Sequence, residues 1–291
     1  MGAGHMNYAL LYLEHLSEQD LELIAREAGR QDEPKELRAA LRDQPALVEK
    51  VLTSPGLFDA IFDEKSEAIS PGVTPFLVFG ALVHQTAREL DTANYVPEWT
   101  GPGRRLPVFD VAPLREFLSS GANRFFLIEL LASFVRVASG SFWVRTRKGY
   151  RRRRYSELDP VQLVEMVELL PPVERPGGYR RLGDVVLFLS GVFPDHTATH
   201  PPAFPERERL VASAGVPLVT ALNDGSDLRF HEIVGASWYR RAVESAQMSV
   251  GRGPGVLLEV ADQFTHARRF LNLLADRHLY RYDAGLARPS G

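Results

Sequence analysis

The stretch Asn123 to Glu157, NRFFLIELLASFVRVASGSFWVRTRKGYRRRRYSE, changes character halfway along. From Phe125 to Val135 it is apolar on every side, with Glu129 as its single charge. A run of that length is far short of the ~20 residues a membrane span needs, so it reads as a buried helix of a globular core. After Gly140 the helical period is lost. SFWVRT and YRRRRYS, on either side of Lys148-Gly149, read instead as two extended segments of a hairpin.

Outward from this stretch the chain is helical. Ser17 and Asp20 frame the start of DLELIAREA, Pro34 opens KELRAALRD, and Pro45 opens ALVEKVLTS. Thr74-Pro75 opens a longer helix in which Phe76, Phe79, Val83, Ala87 and Leu90 recur at helical steps. Asn7 to Ser70 holds 14 acidic residues against 7 Lys plus Arg, a net of −7. Residues Asn94 to Pro113 hold four prolines and three aromatics, a composition that resists regular structure and suggests a connection. Downstream, Asp159-Pro160 opens VQLVEMVELL, and further helices are expected over Tyr179 to Leu189, Glu206 to Ala214, Asp227 to Met248 and Pro254 to Tyr280. The expected fold is mainly α, a multi-helix globular bundle with one β-hairpin near residues 141–156. Its expected parts are an acidic N-terminal helical unit over 7–93, a Pro-rich connection over 94–113, and a main helical domain over 114–284.

Composition narrows the function. With 291 residues, 45% of them hydrophobic and 24% charged, the chain can bury a core without covalent staples. It has no cysteine, which removes disulfides, thiolate nucleophiles and cysteine-ligated metals. A net charge of −3 argues against a surface that binds nucleic acid throughout, so a polyanion site has to be local. The leading MGAGHM has the look of a vector remnant and is set aside; no signal peptide follows, and a cytoplasmic, non-membrane protein is expected.

The local site is the hairpin. Between Arg136 and Arg154 there are eight basic residues and no acidic one. With Lys148-Gly149 as the turn, Arg147 faces Tyr150, Arg145 faces Arg152 and Trp143 faces Arg154. One face then carries Trp143, Arg145, Arg147, Tyr150, Arg152 and Arg154, and the other Phe142, Val144, Thr146, Arg151, Arg153 and Tyr155. A one-residue slip of the turn is expected to exchange these faces. Guanidiniums directly opposite one another repel by a few tenths to about 1 kcal/mol unless an anion screens them. Arginine forks interleaved with rings suit phosphate, nucleic-acid bases or an acidic protein surface. A winged-helix reading fails, because the preceding helix is too apolar to sit in a DNA groove.

Catalytic signals are sparse. No GxSxG, Walker loop or dinucleotide fingerprint occurs. Asp195, His196 and His200 in PDHTATHP have metal-ligand chemistry, but His-x3-His spacing serves a metal only on a helix, which Pro194, Pro201 and Pro202 argue against. A loop in which Asp195 bonds backbone amides is the competing reading. His84 follows an apolar face and reads as a satisfied core histidine, and no cofactor is implied.

GDVVLFLSGVFP, from Gly183 to Pro194, followed by Trp238-Tyr239 in FHEIVGASWYRRA, resembles a phrase of uncharacterised bacterial helical proteins. The resemblance covers about the C-terminal half, implies an all-helical fold, and brings no known activity. In this phrase Gly191 is expected to give a left-handed helix stop, and Asp184 to complement a helix dipole.

Together these features lead to an expected non-catalytic binding or regulatory protein that engages a polyanion through the hairpin, with DNA, RNA or an acidic protein as partner. The alternative is a metal-dependent or small-molecule enzyme with its site among Asp184, Asp195, His196, His200 and His231. A homo-oligomer in which one copy's acidic unit covers another's hairpin is a third arrangement.

Overall fold

A computed structural model describes residues 8–27, 34–43, 50–62, 72–137, 139–146, 149–222, 226–247 and 254–280. In chain order the elements are α1 (Tyr8–His15), α2 (Glu18–Glu27), α3 (Pro34–Asp43), α4 (Pro55–Ile61), α5 (Pro75–Asp91), β1 (Val96–Gly101), β2 (Arg104–Val108), α6 (Ala112–Ser119) and α7 (Gly121–Ser133). There follow β3 (Ser139–Thr146), β4 (Gly149–Ser156), α8 (Pro160–Leu169), α9 (Arg175–Val192), α10 (Pro194–Thr199), α11 (Phe204–Ala214) and α12 (Leu218–Leu222). Helices α13 (Asp227–Gln247), α14 (Pro254–Asp262) and α15 (Phe264–Leu274) complete the order, with a π-helical turn over Ala275–Leu279. The protein is mainly α, and the expected hairpin is present as β3–β4. Among the described residues no helix is long and apolar enough to cross a membrane.

The chain divides into two compact units that interleave in sequence. One is formed by residues up to Asn94 with Leu118–Val135, the other by Tyr95–Phe117 with residues from Arg136 onward.

In the first unit α7 packs on α5, and Phe125 meets Tyr12 and Phe76 edge-on with ring centroids 5.1 and 5.9 Å apart. Phe125 through Ile128, Leu130 and Leu131 are all buried, so this helix is core. At the start of α2, the Ser17 amide donates to Asp20 Oδ2 at 2.8 Å and the Asp20 amide donates to Ser17 Oγ at 3.1 Å. Asp20 is buried because it also ties a second helix: it accepts from the Thr74 amide at 2.9 Å and from the Thr74 hydroxyl at 2.7 Å. Thr74 Oγ1 in turn accepts from the Leu77 amide as the cap of α5, with Pro75 at the position where its missing N–H costs nothing.

In the second unit α9 is the central helix, packed on α13 and α15. The approach is close because α9 and α13 present glycines. A Cβ on Gly183 would lie 2.5 Å from the Tyr239 ring, one on Gly191 2.7 Å from Leu271 Cβ, and one on Gly235 2.5 Å from the Phe264 ring. Gly191 therefore serves contact with α15 and not the left-handed stop expected of it; α9 runs on to Val192. Gly215, with φ 73°, supplies the left-handed cap at the end of α11. Asp184 lies inside α9, which starts at Arg175, and accepts from the Tyr239 hydroxyl at 2.9 Å.

The Pro-rich segment over 94–113 contains regular structure that its composition hid. β1 and β2 form a second antiparallel hairpin, with Pro97 opposite Pro107 and Gly103 at φ 67° in the turn. A two-stranded ribbon has only edge strands, so a proline's missing N–H need not break a ladder. Side chains fasten this ribbon to its own unit. Trp99 Nε1 donates to Asp195 at 2.6 Å, and Arg105 grips Asp276 with Nε at 2.8 Å and Nη2 at 3.0 Å. Glu98 joins the buried Arg268, whose Nε also donates to Glu232 at 2.7 Å and whose Nη1 donates to Asn272 at 2.7 Å.

In the β3–β4 hairpin the register differs from the expected one. Thr146 pairs with Gly149, Arg145 with Tyr150, Trp143 with Arg152 and Ser141 with Arg154. The chain reverses one residue earlier than Lys148-Gly149, so Arg145 no longer stands opposite Arg152. The physical gain is direct: each arginine position of that face now opposes an aromatic or a serine instead of a like charge. The slip does not exchange the faces either. Odd positions of β3 remain paired with even positions of β4, so Trp143, Arg145, Tyr150, Arg152 and Arg154 still share one face.

Candidate functional site

Two features of the second unit carry chemistry. The first is the hairpin, whose backbone and register place five of the six expected binding positions on one face. Arg147 and the turn residue Lys148 lie outside the described residues, as do the side chains of Trp143, Arg145, Tyr150, Arg152 and Arg154. β4 is held at its base: it packs against α8, and the Ser156 amide donates to Gln162 Oε1 at 3.1 Å. Asp159 caps α8, its Oδ1 accepting from the amides of Val161 at 3.0 Å and Gln162 at 3.2 Å.

The second feature is a cavity of about 330 Å³ immediately after β4. Its wall runs from Asp159 and Pro160 through His196 and His200 to Glu206 and His231. Three of the histidine and carboxylate residues expected as an alternative site, His196, His200 and His231, meet here. Asp184 and Asp195 do not: the first holds Tyr239 and the second holds the Trp99 indole.

PDHTATHP forms a short helix after all, because Pro194 sits at the first helical position, where proline fits, and Pro201 and Pro202 follow its end. The His196 and His200 rings lie 4.5 Å apart, and His200 Nδ1 is 3.2 Å from the His196 carbonyl. Among the described residues no three metal-ligating side chains converge, and the turn of Asp195 toward Trp99 is the reason for this trio.

His231 differs from the other two. It is only 8% exposed, and its Nδ1 lies 2.6 Å from the Asp227 carbonyl oxygen. A carbonyl only accepts, so Nδ1 carries the proton and Nε2 is left with a lone pair. Burial lowers the His231 pKa below the usual histidine value, and this outweighs the opposing pull of the Asp227 carbonyl. The ring is thus held neutral in one tautomer. The nearby cation is committed elsewhere: Arg207 pairs with Asp227 and donates through Nε to the Pro202 carbonyl at 3.0 Å.

Sequence reasoning missed Asp159 and Glu206 as parts of this wall. Each shows in the sequence only as a helix-start residue, Asp159 as the cap of α8 and Glu206 as the acceptor for the Ala203 amide at 2.7 Å. Comparison with protein-family models, with curated proteins and with solved structures finds no match for this chain.

Proposed function

We propose that this protein is a non-catalytic binding protein that holds single-stranded nucleic acid on its β3–β4 hairpin. The observation that carries the reading is the register: Trp143 opposite Arg152 and Arg145 opposite Tyr150, with Ser141 opposite Arg154 on the same face. Alternating guanidinium and ring positions supply the two things a single strand offers partners for, phosphate charge and base faces. The absence of any acidic residue between Arg136 and Arg154 keeps the local field positive although the whole chain is at −3. The burial of α7 supports the same assignment, since it removes the helix preceding the hairpin as a groove reader. Retardation of a labelled single-stranded oligonucleotide at low salt tests the reading, with Arg145, Arg147, Arg152 and Arg154 replaced by serine as the comparison. An acidic polypeptide that binds in place of the oligonucleotide would assign the hairpin to a protein partner instead.

A further inference from the structure

The cavity bounded by Asp159, His196, Glu206 and His231 is independent of the hairpin reading, and its chemistry is selective. Its volume of about 330 Å³ equals that of about ten water molecules in the liquid, or one bicyclic ring system. His231 is more than nine-tenths buried, and its Nε2 has no hydrogen-bond partner among the described residues, while its Nδ1 is fixed on Asp227. A buried acceptor without a partner costs free energy that a ligand donor can recover. No lysine or arginine lines the cavity, whereas two carboxylates, Asp159 and Glu206, do. That balance disfavours an anion and favours a neutral or cationic donor. The remaining wall is apolar, with Leu189 and Leu210 among its side chains, and suits a flat body.

We propose that this cavity binds a small, flat nitrogen heterocycle that carries an N–H donor, and that the donor is received by Nε2 of His231. Asp159 and Glu206, already engaged as helix-start acceptors, exclude carboxylated and phosphorylated analogues by repulsion. The His196 and His200 rings at the exposed end give the heterocycle a stacking surface. Adenine has the size and the exocyclic amine this site asks for and serves as the probe, with benzoate as the flat anionic counterpart.

Calorimetric titration of the full chain with adenine and with benzoate at millimolar concentration tests the assignment. Saturable binding of adenine and none of benzoate is expected. His231→Phe, which keeps a ring of similar size and removes the acceptor, should weaken adenine by about tenfold or more. The hairpin variant with its four arginines changed to serine should bind adenine as the wild type does, which separates this site from the hairpin. Nitrogen NMR of histidine-labelled wild type needs no variant: adenine should move the His231 Nε2 resonance. Absence of adenine saturation, an unmoved His231 resonance, equal affinity in a folded His231→Phe protein, or benzoate binding as tight as adenine would each overturn the proposal.

Discussion

Trp143 and Arg152 are direct cross-strand partners in the β3–β4 ladder, and Arg145 and Tyr150 are the next pair on the same face. A ring beside each guanidinium position gives the face a stacking role in addition to its charge. If bases stack there, Trp143→Ala and Tyr150→Ala each weaken single-stranded oligonucleotide binding by about 1–3 kcal/mol, measured by fluorescence anisotropy. Thr146→Ala, at a position on the opposite face, leaves it unchanged. Equal losses for all three would remove stacking from the account.

Glycines in α9 divide by what a methyl group would meet. At Gly177 nothing lies within 4 Å, so Gly177→Ala gains helix propensity and raises stability by up to about 1 kcal/mol. At Gly191 the same change drives Cβ to 2.7 Å from Leu271 Cβ, and overpacking of about 1–3 kcal/mol outweighs that gain. Opposite shifts of the urea midpoint are expected, and two shifts of one sign would contradict the packing described for α9 and α15.

Arg268, 2% exposed, stands between Glu98 and Glu232. Arg268→Met leaves the Glu232 carboxylate buried beside an apolar side chain and lowers unfolding free energy by about 3–5 kcal/mol. The double variant Arg268→Met/Glu232→Met removes both charges and should recover part of the loss, as a double-mutant cycle in urea would register. Additive losses would show that the two residues do not interact.

His84 is fully enclosed, with its Nε2 3.4 Å from the Tyr12 hydroxyl, and burial lowers its pKa from 6.5 to about 4. The folded protein therefore refuses a proton that the unfolded chain accepts below pH 6.5. Stability is fully present above that pH and falls as pH drops toward 4, by about 3 kcal/mol from this residue. His231 is shifted in the same direction and adds to the fall. In His84→Leu the decline in urea midpoint between pH 7 and pH 4.5 should be shallower than in wild type; an equal decline would assign the acid sensitivity elsewhere.

The helical pattern was legible wherever a cap or a period marked it. Thr74-Pro75, Asp159-Pro160 and Ser17 with Asp20 each start a helix where the sequence places one. The β1–β2 ribbon was not legible, because Pro97 and Pro107 argue against strands unless the sheet has only edges, and strand count is a tertiary fact. Gly191 carried the same ambiguity: a glycine near a helix end signals a left-handed stop or a close neighbour, and only the position of Leu271 decides. Of the cavity, the histidines were visible as residue types. Their meeting was not, because His231 arrives from α13, thirty-one residues beyond His200. The register of β3–β4 turned on one residue at the reversal, where Lys-Gly is a weak turn signal.

The most direct test of the hairpin assignment is the salt dependence of single-stranded oligonucleotide binding, measured for wild type and for the variant with Arg145, Arg147, Arg152 and Arg154 changed to serine. Each phosphate contact contributes a slope of about −0.7 in log affinity against log salt. The account predicts a steep wild-type slope that becomes shallower by about 3 in the variant, together with loss of retardation at low salt. A slope that does not change, or a wild-type protein that leaves the strand unbound at low salt, would contradict it.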